Sequence, residues 1–259
     1  MIKVMTLNIN GYGDGQGPWP VRVGLIREVI EDACPDAIAL QAVRSDPARN
    51  QGLNQAEQIA DMFNPFKHQY FQPATVLGDG SAEGSAIISR LPILERDYRA
   101  LGQAPGGEDS TQRVFMHAQL RLASGWLHLF NAHFSWVEGQ ASQNVSEALR
   151  DMEGINGPAL LVGDFNTRPE AAALEPLREQ GWTDIWAQLY PGQDGFTFFE
   201  TGALVKRIDY AWANADLMPR VTGIRIVAGE VEGIAARPSD HAGLLVSLDL
   251  PAAASGPCR

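Results

Sequence analysis

The sequence predicts a mixed α/β protein in which two β-sheets pack together with helices on the outside. Three observations carry that expectation. Apolar runs of strand length recur along the whole chain. Helical patterns separate only some of them, so strands often follow one another directly, which argues against a strictly alternating βαβ barrel. The runs number about ten, too many for one comfortable open sheet.

The first strand run is 2–9. The stretch "PVRVGLIREVIEDACPD" follows as a helix, with Val21, Leu25, Ile26, Val29 and Ile30 on one face and Pro35 ending it. A second strand spans 36–41. "NQAEQIADMF" is a short helix that groups Ile59, Met62 and Phe63. Strand runs at 68–76, 84–89, 113–122 and 126–134 come next. "SQNVSEALRDMEGI" forms a helix through Val145, Leu149 and Met152. A strand at 158–163 is followed by a weak helical pattern near 170–180, interrupted by Pro176. Strands at 207–213, 220–228 and 242–249 complete the set. No internal repeat or linker divides the chain, so residues 1–250 are expected to form one domain. The tail 251–259, "PAAASGPCR", is expected to be disordered.

The chain has 259 residues, 45% hydrophobic and 20% charged, which is ordinary for a soluble globular protein. Its formal net charge is -11, which disfavours tight binding to a nucleic-acid backbone. No apolar run reaches the roughly 18 residues that would span a bilayer. A cytoplasmic protein is expected, or a secreted one if a leader has been removed.

Several strand ends carry polar chemistry. In "ALLVGDFNTRPE", Asp164 and Asn166 stand two apart and so share one side of an extended backbone. Gly163 before them permits a sharp turn or a close approach. The pair can hold a water and a phosphate oxygen, and the same pattern fits an Asx-turn at a strand end. "RPSDHAGLLV" places Asp240 and His241 just before a strand, where a general acid–base pair or a simple cap would sit. "LVKRIDYAWAN" gives Arg207 and Asp209 a common face, and a buried Asp209 needs a partner such as an imidazole. "NAHFSW" supplies His133 and Trp136. His117 and His128 lie in strand patterns and suggest no role.

Taken together, "MTLNING", "IALQ", "EGSAIISR", "NAHFSW", "LLVGDFNTRPE", "KRIDYAW" and "SDHAGL" resemble, in order and content, the endonuclease/exonuclease/phosphatase superfamily. The resemblance runs from residue 2 to about 249. It implies a four-layer αββα sandwich and hydrolysis of a phosphoester by in-line attack of water, with Mg²⁺ or Mn²⁺ as cofactor. It places Asn8, position 42 and Asp240 near the metal. Asp164 matches the group that orients or deprotonates the water, and Asn166 the amide on a phosphate oxygen. His241 matches the base or phosphate ligand and Asp209 the acid that orients it. His133 matches the histidine that stabilises the transition state or leaving group, with Glu83 as a possible orienting partner. Arg113 and Arg207 are candidates for substrate contact, although ion pairing is their more ordinary role. "GYGDGQG" at 11–17 suggests a loop on the rim of the site.

One position departs from the pattern. The family's strand ends "LQE", and that glutamate is its principal metal ligand; this chain has "LQA", with Ala42 in its place. Three explanations fit: an engineered substitution that disarms the enzyme, a natural pseudoenzyme that binds a phosphate ligand without turnover, or a replacement ligand from Gln41 or Asp46. The acidic charge favours a small or lipid-derived phosphodiester over nucleic acid. Trp19, Trp136, Phe196, Phe198 and Phe199 are candidates for an apolar wall, and a nuclease on single strands or ends would use Trp136 or Trp19 for stacking. No protein partner is inferable.

Overall fold

Strand β1 (Ile2–Asn8) sets the pattern for the molecule. Ile2 and Val4 enter one apolar cluster, while Met5 and Leu7 enter another. A strand covered on both faces reads as a continuous apolar run. The computed structural model describes residues 1–103, 107–228 and 236–251 and contains two six-stranded sheets.

After β1 come helix α1 (Trp19–Ala33), β2 (Ala37–Ser45), α2 (Gln55–Ala60), β3 (His68–Val76) and β4 (Ala82–Ser89). Next are β5 (Ile93–Ala100), β6 (Val114–Arg121), β7 (Trp126–His133), α3 (Glu138–Met152) and β8 (Ala159–Asp164). The chain continues through α4 (Glu175–Glu179), β9 (Thr183–Asp184), α5 (Ile185–Leu189), β10 (Phe198–Glu200), β11 (Ala203–Lys206), β12 (Asp209–Ala213), β13 (Val221–Val227) and β14 (Gly243–Leu248). The first sheet runs β13-β14-β1-β2-β4-β3 and the second β5-β6-β7-β8-β12-β9, with β10 and β11 as a separate hairpin.

Val4, Ala39 and Ile87 of the first sheet share a buried cluster with Met116, Leu129 and Val162 of the second. Ile26, Ile30 and Ile59 of α1 and α2 share another with the outer face of the first sheet. Val145, Leu149 and Met152 of α3 pack with Phe130, Leu161 and Trp212 on the second. The layers are therefore α, β, β, α, as the resemblance implies.

Three local expectations need correction. β5, "ILERDYRA", was not anticipated because its residues are charged and almost all exposed, as suits a sheet edge that must not pair with another chain. Val21 does not join the buried face of α1; it is 46% exposed, and Arg22 is fully buried instead. The β10–β11 hairpin and α5 are too short to leave a periodic pattern. The tail from 252 onward lies outside the described residues.

The registers explain where the polar residues meet. β1 and β2 run parallel, with Asn8 beside Gln41. β7 and β8 run parallel, with His133 beside Asp164. β12 runs antiparallel and begins with Asp209 opposite Asp164. β14 runs antiparallel to β1, so its start, just after Asp240 and His241, lies beside the end of β1. Both sheets therefore deliver their polar residues to one edge of the sandwich.

Candidate active site

Asp164 is the hub. Its Oδ2 accepts from Asn8 Nδ2 at 2.8 Å, across the two sheets. Its Oδ1 accepts from the backbone N–H of Asn166 at 2.8 Å, so the Asx-turn and the functional placement coexist. Two imidazoles flank it, with His133 Nε2 at 3.5 Å and His241 Nε2 at 3.7 Å. Gly163 makes this convergence possible: with φ +138°, a Cβ there would lie 2.0 Å from the carbonyl oxygen of Ala132. Asn166, at φ +51°, turns back so that its Nδ2 donates to the Phe134 carbonyl at 3.0 Å.

The two histidines are held in opposite charge states. His241 Nδ1 lies 2.9 Å from Asp209 Oδ2. Burial alone would lower its pKa, but Asp209 and Asp164 outweigh burial and raise it to about 10. Asp209 is itself positioned by Thr197, whose hydroxyl accepts from the Asp209 amide at 3.1 Å. His133 is pushed the other way. Burial, and then the Arg113 guanidinium, lower its pKa to about 3. Arg113 Nη1 lies 2.7 Å from His133 Nε2, and Arg113 is anchored in turn by the buried carboxylate of Asp109 at 3.0 Å. Ser135 Oγ donates to the same Asp109 oxygen.

Ala42 sits in a β-bulge. The ladder between β2 and β4 shifts register between Leu40 and Val43, and Ala42 adopts φ +52°. Bulges near active sites re-aim a side chain, and a non-glycine residue in this region carries strain. Asn131 of the facing sheet satisfies the carbonyls stranded by the bulge: its Nδ2 donates to Leu40 O and Ala86 O, both at 3.0 Å. The Gly11 amide donates to Ala42 O at 2.9 Å. The backbone at position 42 is thus built and braced, yet it presents only a methyl group.

Neither alternative ligand replaces it here. Gln41 is fully buried and donates to Thr6 Oγ1 and Asn131 Oδ1. Asp46 holds Arg49 and the Ala48 amide in a neighbouring cleft. Asp164, Asp209 and His241 offer one ligand atom each within 4.8 Å of one another, a group that could hold a metal ion. Asp209 Oδ1 is buried with no hydrogen-bond partner, as a cation-facing oxygen would be in the apo protein. The donors are oxygen-rich, as a hard divalent ion requires. Asp240 lies outside that triad; its Oδ1 accepts from Ser239 Oγ.

Several expected residues stand elsewhere. Arg207 is buried and bonded to both carboxylate oxygens of Asp184, not among the residues around Asp164. Glu83 pairs with Arg44 at 2.7 Å, while His133 takes Arg113 as its partner. The amides of Gly11, Gly13 and Gly17 donate to Ala42 O, Asn10 O and Asp14 O, so they are not free to cradle a phosphate. Trp19 is buried edge-on to Tyr12 and cannot stack on a base. Phe198 lies against His241 with ring centroids 5.0 Å apart, and Trp136 is 53% exposed just after His133.

Arg22 went unnoticed in the sequence. Its guanidinium donates to the carbonyls of Ile9, Gly11, Gly13 and Pro238, tying the segment after Asn8 to the segment before Asp240. An arginine inside an apolar helix stripe is the one sign that could have revealed it. Asp109 leaves no sign, since it lies in an irregular polar stretch, and Ser135 is marked only by its place in "NAHFSW".

The chain resembles solved structures of this architecture. An endonuclease/exonuclease/phosphatase from Bacteroides vulgatus matches with TM-score 0.76 at 20% identity, over 96% of this chain and 98% of that one. The 3′ phosphatase NExo from Neisseria, bound to a product DNA hairpin, matches with TM-score 0.69 at 20% identity, over 96% and 100%. The human Nocturnin catalytic domain with bound sulfate matches with TM-score 0.71 at 18% identity, over 96% and 93%. No curated protein matches the sequence. Among the described residues, no helix is long and apolar enough to cross a membrane. The model of the Endonuclease/Exonuclease/phosphatase family, whose members are metal-dependent hydrolases of phosphoesters, matches residues 5–241, and the chain belongs to that family.

Proposed function

We propose that the chain is a phosphodiesterase scaffold for a small or lipid-derived phosphodiester, dependent on Mg²⁺ or Mn²⁺ and disarmed at position 42. The observation that carries this reading is the contrast at one sheet edge. Asn8, Asp164, His133, His241 and Asp209 form a connected site, whereas the braced bulge beside them ends in Ala42.

Each residue has a distinct task. Asp164, fixed by Asn8 and the Asn166 amide, accepts the proton of the attacking water or orients it. The cationic His241 and the Asn166 amide stabilise negative charge that grows on the phosphoryl oxygens. His133 is neutral, lies beside Asp164 through Nε2 and receives a hydrogen bond from Arg113 there, so the pair brings positive charge to the side where the leaving oxygen would develop negative charge. Asn8 and Asp240, with a carboxylate restored at position 42, would hold the divalent cation, and such an ion would supply polarisation of the phosphoryl group and the leaving oxygen.

A second reading is a pseudoenzyme that binds a phosphate ligand, supported by the retained Asn166 and His241 and opposed by the single departure at Ala42, because natural decay usually leaves more than one. A nuclease acting on single-stranded or terminal nucleic acid is supported only by the exposed Trp136 and opposed by the net charge of -11. Titration with Mn²⁺ tests the disarmed-site reading. Restoring the carboxylate with Ala42→Glu should tighten binding by at least about 10–100-fold, the scale on which even indirect ligand support acts. Equal affinity in both proteins would reject it.

A further inference from the structure

A second pair of imidazoles stands away from the reaction centre, about 17 Å from His133 along β7. His128 of β7 and His117 of β6 share the outer face of the second sheet with Phe115 and Phe130. His128 is buried, while His117 is half-buried and lines a cleft of about 410 Å³. His117 Nε2 lies 2.9 Å from His128 Nδ1.

His128 Nε2 has two neighbours with opposite requirements. Trp126 Nε1 reaches it at 3.0 Å, and an indole N–H only donates. This nitrogen therefore accepts, and the His128 proton resides on Nδ1, where it is donated to His117 Nε2. The Asn156 carbonyl lies 3.3 Å from the same Nε2 and only accepts. It gains a donor when the proton moves to Nε2. Nδ1 then presents a lone pair to the lone pair of His117 Nε2, an arrangement that calls for a cation between them. A metal-bound imidazole almost always gives its other N–H to an acceptor such as a backbone carbonyl.

Protonation and charge agree with this. Burial lowers the pKa of both rings, that of His117 to about 4, so at neutral pH no proton competes with a metal ion. Asp97 stands opposite His117 in the β5–β6 ladder, and Glu95 stands opposite Gln119, the next outward residue. Asp97 acts electrostatically on His117, and Glu95 on His128. Two imidazole nitrogens on a tetrahedral ion lie about 3.3 Å apart, so the pair has to open by about 0.4 Å. His117 stacks on Phe130 with ring centroids 4.7 Å apart and borders the cleft, so it can slide and turn that far.

We infer that His117 Nε2 and His128 Nδ1 are ligands of a borderline divalent metal ion such as Zn²⁺, with Asp97 or water completing its shell. Imidazoles suit zinc, whereas Mg²⁺ prefers oxygen ligands, so this site is separate from the hydrolytic one and independent of the phosphoester reading. On binding, the His128 proton passes from Nδ1 to Nε2; both rings stay neutral and no proton is released.

Nitrogen NMR of the histidine rings during a Zn²⁺ titration tests it, with signals assigned from His117→Gln and His128→Gln. The His128 proton should reside on Nδ1 before metal and on Nε2 after one equivalent. In calorimetry each substitution should weaken that binding by at least about tenfold. Trp126 is 44% exposed, so Trp126→Phe spares the core while removing the hydrogen bond that favours the metal-free tautomer. Zn²⁺ should bind this variant about two- to tenfold more tightly, the range that one neutral hydrogen bond represents. A His128 tautomer indifferent to Zn²⁺, an affinity unchanged in both histidine variants, or a Trp126→Phe form that binds no more tightly than the parent chain would each overturn the assignment.

Discussion

The guanidinium of Arg113 and the imidazole of His133 meet at 2.7 Å, Nη1 to Nε2. An arginine side chain stays protonated and only donates. His133 Nε2 is therefore the acceptor, and its proton resides on Nδ1. This relationship, and not a carboxylate partner, determines how His133 acts.

Removing that cation should release the histidine. Arg113→Met is expected to raise the His133 pKa by at least about one unit, since one unit corresponds to 1.36 kcal/mol of differential interaction. Nitrogen chemical shifts of the imidazole across pH 4–8 would report it. In an active form of the enzyme the same change should cost roughly 10²–10³ in kcat, the usual loss for a positioned donor. An unchanged titration would show that burial alone keeps His133 neutral.

The brace beneath the bulge makes a stability prediction. Asn131→Leu removes the side-chain donor from Leu40 O and Ala86 O in the space between the sheets, while Gln41 Nε2 keeps Thr6 Oγ1 and Ala39 O. Each unsatisfied buried group costs about 1–3 kcal/mol, so a total loss of about 2–5 kcal/mol is expected in denaturant unfolding. A loss below about 1 kcal/mol would mean that Asn131 does not secure the bulge.

Ala42 itself should be replaceable with profit to stability. At φ +52° an alanine carries strain that glycine lacks. Ala42→Gly is expected to stabilise the fold by about 0.5–1 kcal/mol after the added chain entropy is subtracted. The midpoint of chemical unfolding measures it, and a lower midpoint would contradict the strain argument.

Two histidines give the stability profile opposite slopes. His117 is pushed down to about 4 by burial and by His128. Below pH 6.5 the unfolded chain takes up that proton first, as it does at His133, which is lowered to about 3, so stability should fall from pH 6.5 toward pH 4 and His117→Gln should reduce that slope without abolishing it. His241 is raised to about 10. Its contribution is complete below pH 6.5 and should fade as pH rises through 10. Unfolding curves of the chain and of His117→Gln and His241→Gln, taken from pH 4 to 10, would assign each slope. A flank unchanged in its own variant belongs to another group.

Much of this architecture is legible in the sequence because it follows from continuous apolar runs. β1, β7 and β8 are covered on both faces, and each ends on the polar residue that the site uses. Asp164, Asn166 and His133 could be read from those ends. β5 was hidden because an exposed edge strand keeps no apolar face. The buried Arg22 is hidden because its partners are backbone carbonyls, and Asp109 because it lies in an irregular stretch, although Arg113 stands only four residues on. Arg207 misled because spacing along a strand gives a face but not a partner; here the partner is Asp184. The departure at Ala42 could be read only against the rest of the pattern, and the bulge that makes it informative required the structure.

The most direct test of the account is one paired turnover measurement. This chain and its Ala42→Glu form would be assayed with Mn²⁺ on bis-p-nitrophenyl phosphate, alongside p-nitrophenyl phosphate, sphingomyelin-like lipids and short DNA. The account predicts a gain of at least about 10²-fold in the Ala42→Glu form, equivalent to roughly 2.7 kcal/mol of barrier, on a phosphodiester other than DNA. No gain on any of them, with both proteins folded, would contradict the claim that an otherwise complete active site is disarmed at Ala42.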